Sequence, residues 1–297
     1  MIKVLIADKI DKSIIEKITN SRFSFNYQPE ITPQDLLKII PNYEGLVVRS
    51  RTKVTAEVIN QGKKLKAVGR VGTGLDNIDI GTAKRRKITI INSPESNTEA
   101  VAELAFGLIL SLLRKLSLAY ASMANGLWLK KDLKGEELEG KKVGVIGYGH
   151  IGKRLAKILT AFGAKVDYFS RSEKTNSLKY IFKNSDIITV HLPLNNETKN
   201  LVNNKLLSLM KPTSFFVNTS RGGVVEEKTL FKMLEGKKIA GAALDVFWQE
   251  PLPPDSPWRK LSNVILTPHI AASTSEALKK GTKTVINDIL KILDKKK

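Results

Sequence analysis

Three residues in the second half of the chain could together carry out acid–base chemistry on an anion. Arg221 lies in "FFVNTSRGGVVEE", Glu250 in "GAALDVFWQEPLPP" and His269 in "VILTPHIAAST". Arginine binds carboxylates through paired hydrogen bonds, histidine exchanges a proton near neutral pH, and a carboxylate can orient an imidazole ring. Each residue alone also fits an ordinary surface or strand-end position. Together they form the set that oxidation of a 2-hydroxy acid requires.

A glycine motif in the same half predicts a dinucleotide site. In "KKVGVIGYGHIGKRLAKIL" a predicted strand leads into Gly147, Gly149 and Gly152 and then into an amphipathic helix. The first glycine permits a tight turn, the second lets the backbone approach a pyrophosphate, and the third lets the helix pack on the strand. The phosphate charge then lies at the positive end of the helix.

The residues after the next predicted strand bear on which nicotinamide cofactor binds. An NAD site usually has an acid there for the ribose hydroxyls. This chain has Ser170 and Arg171 instead, which can hold the 2′-phosphate of NADP(H), whereas a carboxylate would repel it. Asp167 lies in mid-strand and is expected to point elsewhere. The pair favours NADP(H) and leaves NAD(H) open.

Alternating strand and helix patterns predict two parallel sheets that position these residues. Five apolar runs lie between residues 3 and 93, and six more lie near 142–146, 164–169, 186–191, 214–218, 239–243 and 263–266. The last helical pattern follows the second sheet and is expected to return to the first. We therefore predict an α/β protein with two doubly wound parallel sheets. A Rossmann nucleotide-binding domain, 96–272, would be inserted in a flavodoxin-like substrate domain, 1–95 plus 273–297.

Residues 98–125 form one long helical pattern that ends at Gly126. The pattern is too apolar for a helix with a solvated face. It therefore predicts a single buried helix at a domain or subunit interface. On this interpretation the helix would join two copies of the chain into a homodimer.

Composition limits the classes of function. The net charge is +20, but the basic residues are dispersed and the densest runs, "KRRK" at 84–87 and "KKK" at the end, are short. The charge therefore suits a solvated surface or a small anionic substrate rather than nucleic acid. The chain has no cysteine and three dispersed histidines, so no metal site is expected. No apolar run is long enough to span a membrane, and a cytoplasmic location is expected.

Several quoted stretches together resemble the D-isomer-specific 2-hydroxyacid dehydrogenases over essentially the whole chain. They are "VVRSRTKVTAEVIN", "AVGRVGTGLDNIDI", "GYGHIGKRLA", "VNTSRGGVVEEKTL", "AGAALDVFWQEP" and "TPHIAAST". The resemblance implies that Arg221, Glu250 and His269 are catalytic. It also implies that His150 and Ile151 lie along the pyrophosphate, that Asp245 holds the nicotinamide carboxamide, and that Leu192 and Thr219 line the cofactor cleft. His191, which ends a predicted strand, is interpreted as structural.

The first domain is expected to complete the substrate site. The turn at Gly72, Thr73 and Gly74 could present backbone N–H groups to a carboxylate, and Arg49 and Arg70 follow or end neighbouring strands. Similarity to the D-3-phosphoglycerate dehydrogenases within the family implies that both arginines contact a substrate phosphate. Lys130 or Lys131 falls where those enzymes have another basic contact. Arg51 is expected to pair with surface acids instead.

The favoured interpretation is thus a D-3-phosphoglycerate dehydrogenase of serine biosynthesis, without a C-terminal regulatory domain. A glyoxylate or hydroxypyruvate reductase is the alternative, since the Ser170–Arg171 pair is commoner in such enzymes. A non-catalytic NAD(H)-sensing scaffold is a third candidate, against which the intact Arg–Glu–His set counts. The segment between Ser170 and Asp186 is about ten residues shorter than the family pattern, so one strand or helix on the adenine side is expected to be trimmed.

Overall fold

A computed structural model describes residues 1–18, 22–173 and 175–295 of the chain. The chain divides into two compact units, Met1–Thr98 with Ala272–Lys297, and Glu99–Ala271. The domain bounds given above stay a prediction, and the last two lysines of the terminal "KKK" lie outside the described residues. No helix in the described ranges is long and apolar enough to cross a membrane.

The described part of the first unit holds a sheet of five parallel strands. They are β1 (Ile2–Ile6), β2 (Phe23–Tyr27), β3 (Gly45–Val48), β4 (Ala67–Arg70) and β5 (Thr89–Asn92). Their order is β2-β1-β3-β4-β5, which is the flavodoxin-like order. Val48 of β3 pairs with Arg70 of β4, so the ends of these two strands lie side by side.

Helices cover both faces of this sheet. They are α1 (Lys12–Glu16), α2 (Pro33–Ile39), α3 (Ala56–Gln61), α4 (Ile80–Arg85) and α11 (Ser275–Lys295). The start of α2 follows from local sequence, because Thr32 accepts a hydrogen bond from the Asp35 N–H and Pro33 suits the first turn. One apolar core includes residues of α2–α4, and the other includes Val285, Ile286 and Ile289 of α11.

The second unit contains a six-stranded parallel sheet within its described residues. Its strands are β6 (Lys142–Ile146), β7 (Lys165–Phe169), β8 (Ile187–Val190), β9 (Phe215–Asn218), β10 (Gly241–Leu244) and β11 (Val264–Leu266). The order is β11-β10-β9-β8-β6-β7, so the chain reverses direction across the sheet between β6 and β8. Ligands of open α/β sheets bind outside the carboxyl ends of the strands at such a point. The predicted α/β fold with two parallel sheets is confirmed.

The adenine side of this sheet is short. β7 is the outer strand, and the chain passes from Phe169 to α8 (Leu178–Asn184) through a brief segment in which Lys174 is not described. Among the described residues no strand pairs with the outer edge of β7. A doubly wound nucleotide-binding sheet commonly has a further strand there, so the shortened segment corresponds to the loss of that strand.

The predicted single helix over 98–125 is wrong. The structure has α5 (Thr98–Leu113) and α6 (Leu116–Ala124), separated by Arg114 and Lys115, and Lys115 has φ of 53°. The carbonyl of Leu113 accepts a hydrogen bond of 2.9 Å from the Glu136 N–H, which a distant part of the sequence supplies. Half of α5 is buried, whereas Ser122 is the one buried residue recorded for α6 among the described residues.

The remaining helices of the second unit are α7 (His150–Ala161), α9 (Asn204–Leu207) and α10 (Glu227–Glu235). One apolar core joins α5 and α7 to one face of the sheet, and a second joins α8, α9 and α10 to the other. The sheet is therefore held rigidly from both sides, which fixes the positions of the loops at its carboxyl edge.

Candidate active site

The strands of the second unit end in register, and this places their next residues in a row. Neighbouring strands pair through Phe169, Ile146, Val190, Asn218 and Leu244. Adjacent strands lie about 4.8 Å apart. The residues that follow this row are Ser170, Gly147, His191, Thr219 and Asp245. All but His191 belong to the cofactor site predicted from the sequence.

The glycine loop has the geometry that a pyrophosphate site needs. Gly147 has φ of +99°, and a Cβ there would lie 2.5 Å from the carbonyl oxygen of His191. A Cβ on Gly152 would overlap the carbonyl oxygen of Gly147, whereas Gly149 faces open space. Gly149 is also the N-cap of α7, with no side-chain hydrogen bond to the helix start. The first helical residues, His150 and Ile151, therefore adjoin an open cradle that fits a dinucleotide phosphate.

The Ser170–Arg171 loop lies after β7, as the sequence predicts. The two hydroxyl oxygens of Ser170 and Ser172 are 3.0 Å apart. The guanidinium of Arg171 forms an ion pair with Glu197, so an internal carboxylate already engages the predicted phosphate ligand. Asp167 accepts a hydrogen bond of 2.7 Å from the Asn176 amide.

Two tyrosines beside the glycine loop were not singled out by motif reasoning. Tyr148 lies within the glycine motif and Tyr168 in β7, and their rings stack with centroids 3.7 Å apart and planes 12° apart. Lys153 lies over the Tyr148 ring and pairs with Glu173 at 2.9 Å. The aromatic pair braces the glycine loop against the neighbouring strand. Only the alternation of side chains along β7 could have hinted at this contact.

His269 and Glu250 form a direct pair. Nδ1 of His269 lies 2.7 Å from Oε2 of Glu250, and the other carboxylate oxygen accepts the Phe247 N–H at 2.9 Å. Burial raises the pKa of Glu250, but the hydrogen bonds from His269 and the Phe247 N–H, with the nearby charge of Arg221, lower it below its ordinary value overall. An ionised Glu250 accepts the Nδ1 proton, which leaves Nε2 of His269 as the basic atom.

Arg221 is held close to the Glu250 loop. Its guanidinium donates to the Ser220 carbonyl at 2.7 Å, and its own carbonyl accepts the Asn218 amide at 3.0 Å. A Cβ on Gly222 would overlap the backbone of Phe247. The glycine after Arg221 is thus required because the chain that leads to Glu250 crosses it. The structure therefore brings the loops of all three predicted catalytic residues together.

Asp245 is fully buried at the end of β10. Its carboxylate oxygens accept hydrogen bonds from Thr267, Ile270 and Ala271. The contact with the nicotinamide carboxamide that the resemblance implies stays a prediction. In this structure both oxygens have donors in the loop that carries His269.

His191 and Thr219 each have a buried polar atom without a hydrogen-bond partner among the described residues, Nδ1 and Oγ1 respectively. Nε2 of His191 lies 2.9 Å from the Thr189 hydroxyl. Burial lowers the pKa of His191 to about 4, so its ring is neutral at neutral pH. Leu192 follows, with a methyl carbon 3.0 Å from a Cβ built on Gly147.

In the first unit, Arg70 covers the predicted turn. Its Nε donates to the Arg49 carbonyl at 3.4 Å, and its guanidinium would touch a Cβ on Gly72, which has φ of +138°. The Gly72 N–H donates to the Ser93 hydroxyl at 2.8 Å, and the Thr73 hydroxyl to the Asn97 side chain at 2.8 Å. Gly74 follows in the same turn, half-buried. The Gly72 N–H therefore already has a hydrogen-bond acceptor, the Ser93 hydroxyl, within the first unit.

Arg51 does not pair with surface acids, and that expectation is wrong. Its Nε lies 3.2 Å from the carboxylate of Asp8, which is 1% exposed. Asp8 also accepts the N–H of Arg49 at 2.5 Å and the hydroxyl of Thr52 at 2.6 Å. The backbone that carries Arg49 is therefore pinned by a buried carboxylate, and Arg51 balances its charge.

Lys130 lies in the segment after α6 and is exposed. Within residues 1–18, 22–173 and 175–295, no group of three or more His, Asp or Glu side chains could hold a metal ion.

Comparison with known proteins identifies the family. Residues 106–271 match the sequence model of the D-isomer specific 2-hydroxyacid dehydrogenase, NAD binding domain. The chain is 40% identical over 301 residues to a hydroxypyruvate reductase of Thermotoga maritima, covering 98% of each. It is 41% identical over 287 residues to a D-3-phosphoglycerate dehydrogenase of Synechocystis sp., covering 93% of this chain and 51% of that protein. The chain thus spans about half the length of the second relative.

A solved structure agrees with these relatives. An acyclic imino acid reductase in complex with NADPH and D-Arg superposes with a TM-score of 0.91 at 31% identity, over 99% of this chain and 98% of that one. The predictions of an oxidoreductase class and of a nicotinamide dinucleotide domain are confirmed at the level of the family. The chain belongs to the D-isomer specific 2-hydroxyacid dehydrogenase family.

Proposed function

We propose that the protein interconverts a D-2-hydroxy acid and its 2-oxo acid with a nicotinamide dinucleotide, and that D-3-phosphoglycerate is the preferred substrate. The observation that carries the reaction type is the 2.7 Å pair of His269 and Glu250, next to Arg221. The pair leaves one basic nitrogen free, and the arginine supplies a cation for a carboxylate. An NAD(H)-sensing scaffold would have no need of this set.

Each residue has a defined part in the proposed reaction. Arg221 pairs with the substrate carboxylate and polarises the oxygen on C2. His269 takes the C2 hydroxyl proton on Nε2 during oxidation and returns it during reduction. Glu250 keeps the Nδ1 proton in place and stabilises the charged imidazolium. The bound nicotinamide supplies the hydride chemistry, and Gly147, Gly149 and Gly152 shape the loop for its pyrophosphate.

The preference for a phosphorylated substrate is supported by the first unit. Arg49 and Arg70 lie at the ends of paired strands, and the Asp8 network fixes the backbone of Arg49. Two arginines on a fixed backbone suit a dianionic phosphate better than a small neutral group. Serine biosynthesis in the cytoplasm would be the setting of such an activity.

Reduction of hydroxypyruvate or glyoxylate is the second candidate. The similarity to the Thermotoga hydroxypyruvate reductase along nearly all of both chains favours it. The two candidate activities differ in the role of Arg70. A substrate without a phosphate offers no group for a second arginine of the first unit to bind.

Initial rates with both substrates test the choice. We expect Arg70→Ala to lower kcat/KM for D-3-phosphoglycerate about 10- to 100-fold, the loss of a charge-assisted hydrogen bond, and to change kcat/KM for hydroxypyruvate little. A wild type that prefers hydroxypyruvate, with the same ratio in Arg70→Ala, would establish the second candidate instead.

We propose that the protein prefers NADP(H) to NAD(H). Ser170 and Arg171 replace the acid of an NAD site, as above, and support that choice. The ion pair of Arg171 with Glu197 opposes it, because the glutamate competes with a 2′-phosphate for the guanidinium. We therefore expect only a modest preference, with NAD(H) also used.

We further propose that two copies associate through α6 and the residues after it. Large apolar side chains are exposed there, and they are Leu116, Leu118, Tyr120, Met123, Leu127, Trp128 and Leu129. Of these residues, Leu118, Leu127 and Leu129 line a groove of about 440 Å³. An apolar patch of this kind on a globular protein supports a subunit interface, and a two-fold dimer is the commonest form of self-association.

A further inference from the structure

Asp245 makes an unusual set of contacts for a buried carboxylate at a cofactor site. One oxygen accepts the Thr267 hydroxyl at 2.6 Å and the Ile270 N–H at 2.8 Å, and the other accepts the Ala271 N–H at 2.9 Å. The side chain is 0% exposed. All three of these side-chain hydrogen bonds therefore come from a single segment, residues 267–271.

His269 lies in the middle of that segment in a conformation that needs support. Its φ is +54°, which is unfavourable for any residue with a Cβ. Its own N–H donates to the Thr267 carbonyl at 3.0 Å, which tightens the turn further. The bonds to Asp245 come from both sides of His269, so they clamp the turn at its two ends.

The base of this clamp is the sheet itself. The Asp245 N–H donates to the Asn218 carbonyl at 3.0 Å, which continues the pairing of β9 and β10. Two residues later, the Phe247 N–H holds Glu250. The end of one buried strand therefore fixes both members of the His269–Glu250 pair.

We propose that Asp245 is a positioning residue, which holds the strained turn at His269 so that the imidazole meets Glu250. This role differs from the contact with the nicotinamide carboxamide that the family resemblance implies. It rests on the proposed function in one respect, because the effect on turnover requires that His269 is the acid–base group.

A carboxylate suits the role because it only accepts hydrogen bonds. Three donors converge on its two oxygens, and two of them are backbone N–H groups that cannot reverse. An asparagine would present an NH₂ group to one of these donors. The turn and residue 245 would then lose their present orientation, because two buried hydrogen-bond donors that face each other cost free energy.

Thr267 allows a test that leaves Asp245 intact. Thr267→Val removes one of the three bonds, and Thr267→Ser retains the hydroxyl. We would measure kcat with D-3-phosphoglycerate or hydroxypyruvate, whichever is turned over, and the dissociation constant of NADH by calorimetry. The chain has three histidines, so ¹⁵N-histidine labelling resolves the His269 ring in the wild type and in both variants.

We expect Thr267→Val to lower kcat about 10-fold, to leave the NADH dissociation constant within about 2-fold, and to shift or broaden the Nδ1 proton signal of His269. Thr267→Ser should match the wild type in kcat, in the NADH dissociation constant and in the Nδ1 proton signal of His269. Asp245→Asn should show the same pattern with a larger loss of kcat.

An unchanged kcat and an unchanged His269 signal in Thr267→Val would overturn the proposal. So would a rise in the NADH dissociation constant that matches the fall in kcat, because that is the result expected of a cofactor contact. If the wild type turned over no 2-hydroxy acid, the proposed function would fail. The His269 signal would still test the clamp separately.

Discussion

Nδ1 of His269 and Oε2 of Glu250 lie 2.7 Å apart, although 18 residues separate them in the chain. The distance is short enough for a charge-assisted hydrogen bond. Glu250 is anchored by the Phe247 N–H and His269 by a turn held at both ends. The pair is therefore fixed from both directions before a substrate binds, which is what acid–base catalysis requires.

Replacing Glu250 should change how stability depends on pH. Its pKa is lower in the folded protein than its ordinary value of 4.5, so the ionised form stabilises the fold. This contribution is complete above the unfolded pKa and is lost as the pH falls through the folded pKa. We expect the difference in unfolding free energy between wild type and Glu250→Gln to shrink between pH 6 and 3 in urea titrations.

Glu276 provides a control for this experiment. Its pKa is also lowered, but by hydrogen bonds from its own backbone N–H and from Ser275 and not by His269. Glu276→Gln should leave kcat unchanged, whereas Glu250→Gln should lower it about 10- to 100-fold. A constant difference in stability between wild type and Glu250→Gln down to pH 3 would show that the fold does not stabilise the ionised form of Glu250.

Removing the ion pair between Arg171 and Glu197 should favour the binding of NADP(H) over NAD(H). Glu197→Gln removes the carboxylate that pairs with the guanidinium. Because exposed ion pairs contribute little, we expect the affinity for 2′,5′-ADP relative to 5′-AMP to rise only about 2- to 5-fold. Glu173→Gln is the matched control, since Glu173 pairs with Lys153. The same ratio in Glu197→Gln and in wild type would show that Arg171 does not reach the 2′-position.

A charge in the apolar patch should separate the proposed dimer. Trp128 is 77% exposed in the single chain, so an aspartate there is tolerated by the monomer but is buried unpaired in an apolar interface. Light scattering should report a dimer for wild type and a monomer for Trp128→Asp. Tyr180→Asp changes an exposed aromatic residue on α8 and should remain dimeric. A monomeric wild type would contradict the assignment of the patch.

The parts of the fold that depend on local signals could be predicted. The glycine motif and the strand runs each depend on neighbouring residues, and the structure places them as expected. The order of the strands also follows, because parallel strands joined by helices form doubly wound sheets. The loops with Arg221, Glu250 and His269 then meet, because parallel strands end at one edge.

The parts that depend on distant residues could not be predicted. At the break between α5 and α6 the Leu113 carbonyl accepts the N–H of Glu136, a residue that no local pattern connects with Leu113. The burial of Asp8 could not be read from a stretch, "IADKID", that looks like a strand end. The clamp on His269 was missed for the same reason, since no local pattern tells which donors a carboxylate will meet.

The central claim is that His269 is the acid–base group of a 2-hydroxyacid dehydrogenase, and His269→Gln tests it most directly. We would measure initial rates of D-3-phosphoglycerate oxidation and hydroxypyruvate reduction, together with NADH binding by calorimetry. The account predicts that kcat falls about 10²- to 10⁴-fold for each substrate that the wild type turns over, while the NADH dissociation constant changes little. Turnover by His269→Gln at the wild-type rate would contradict it.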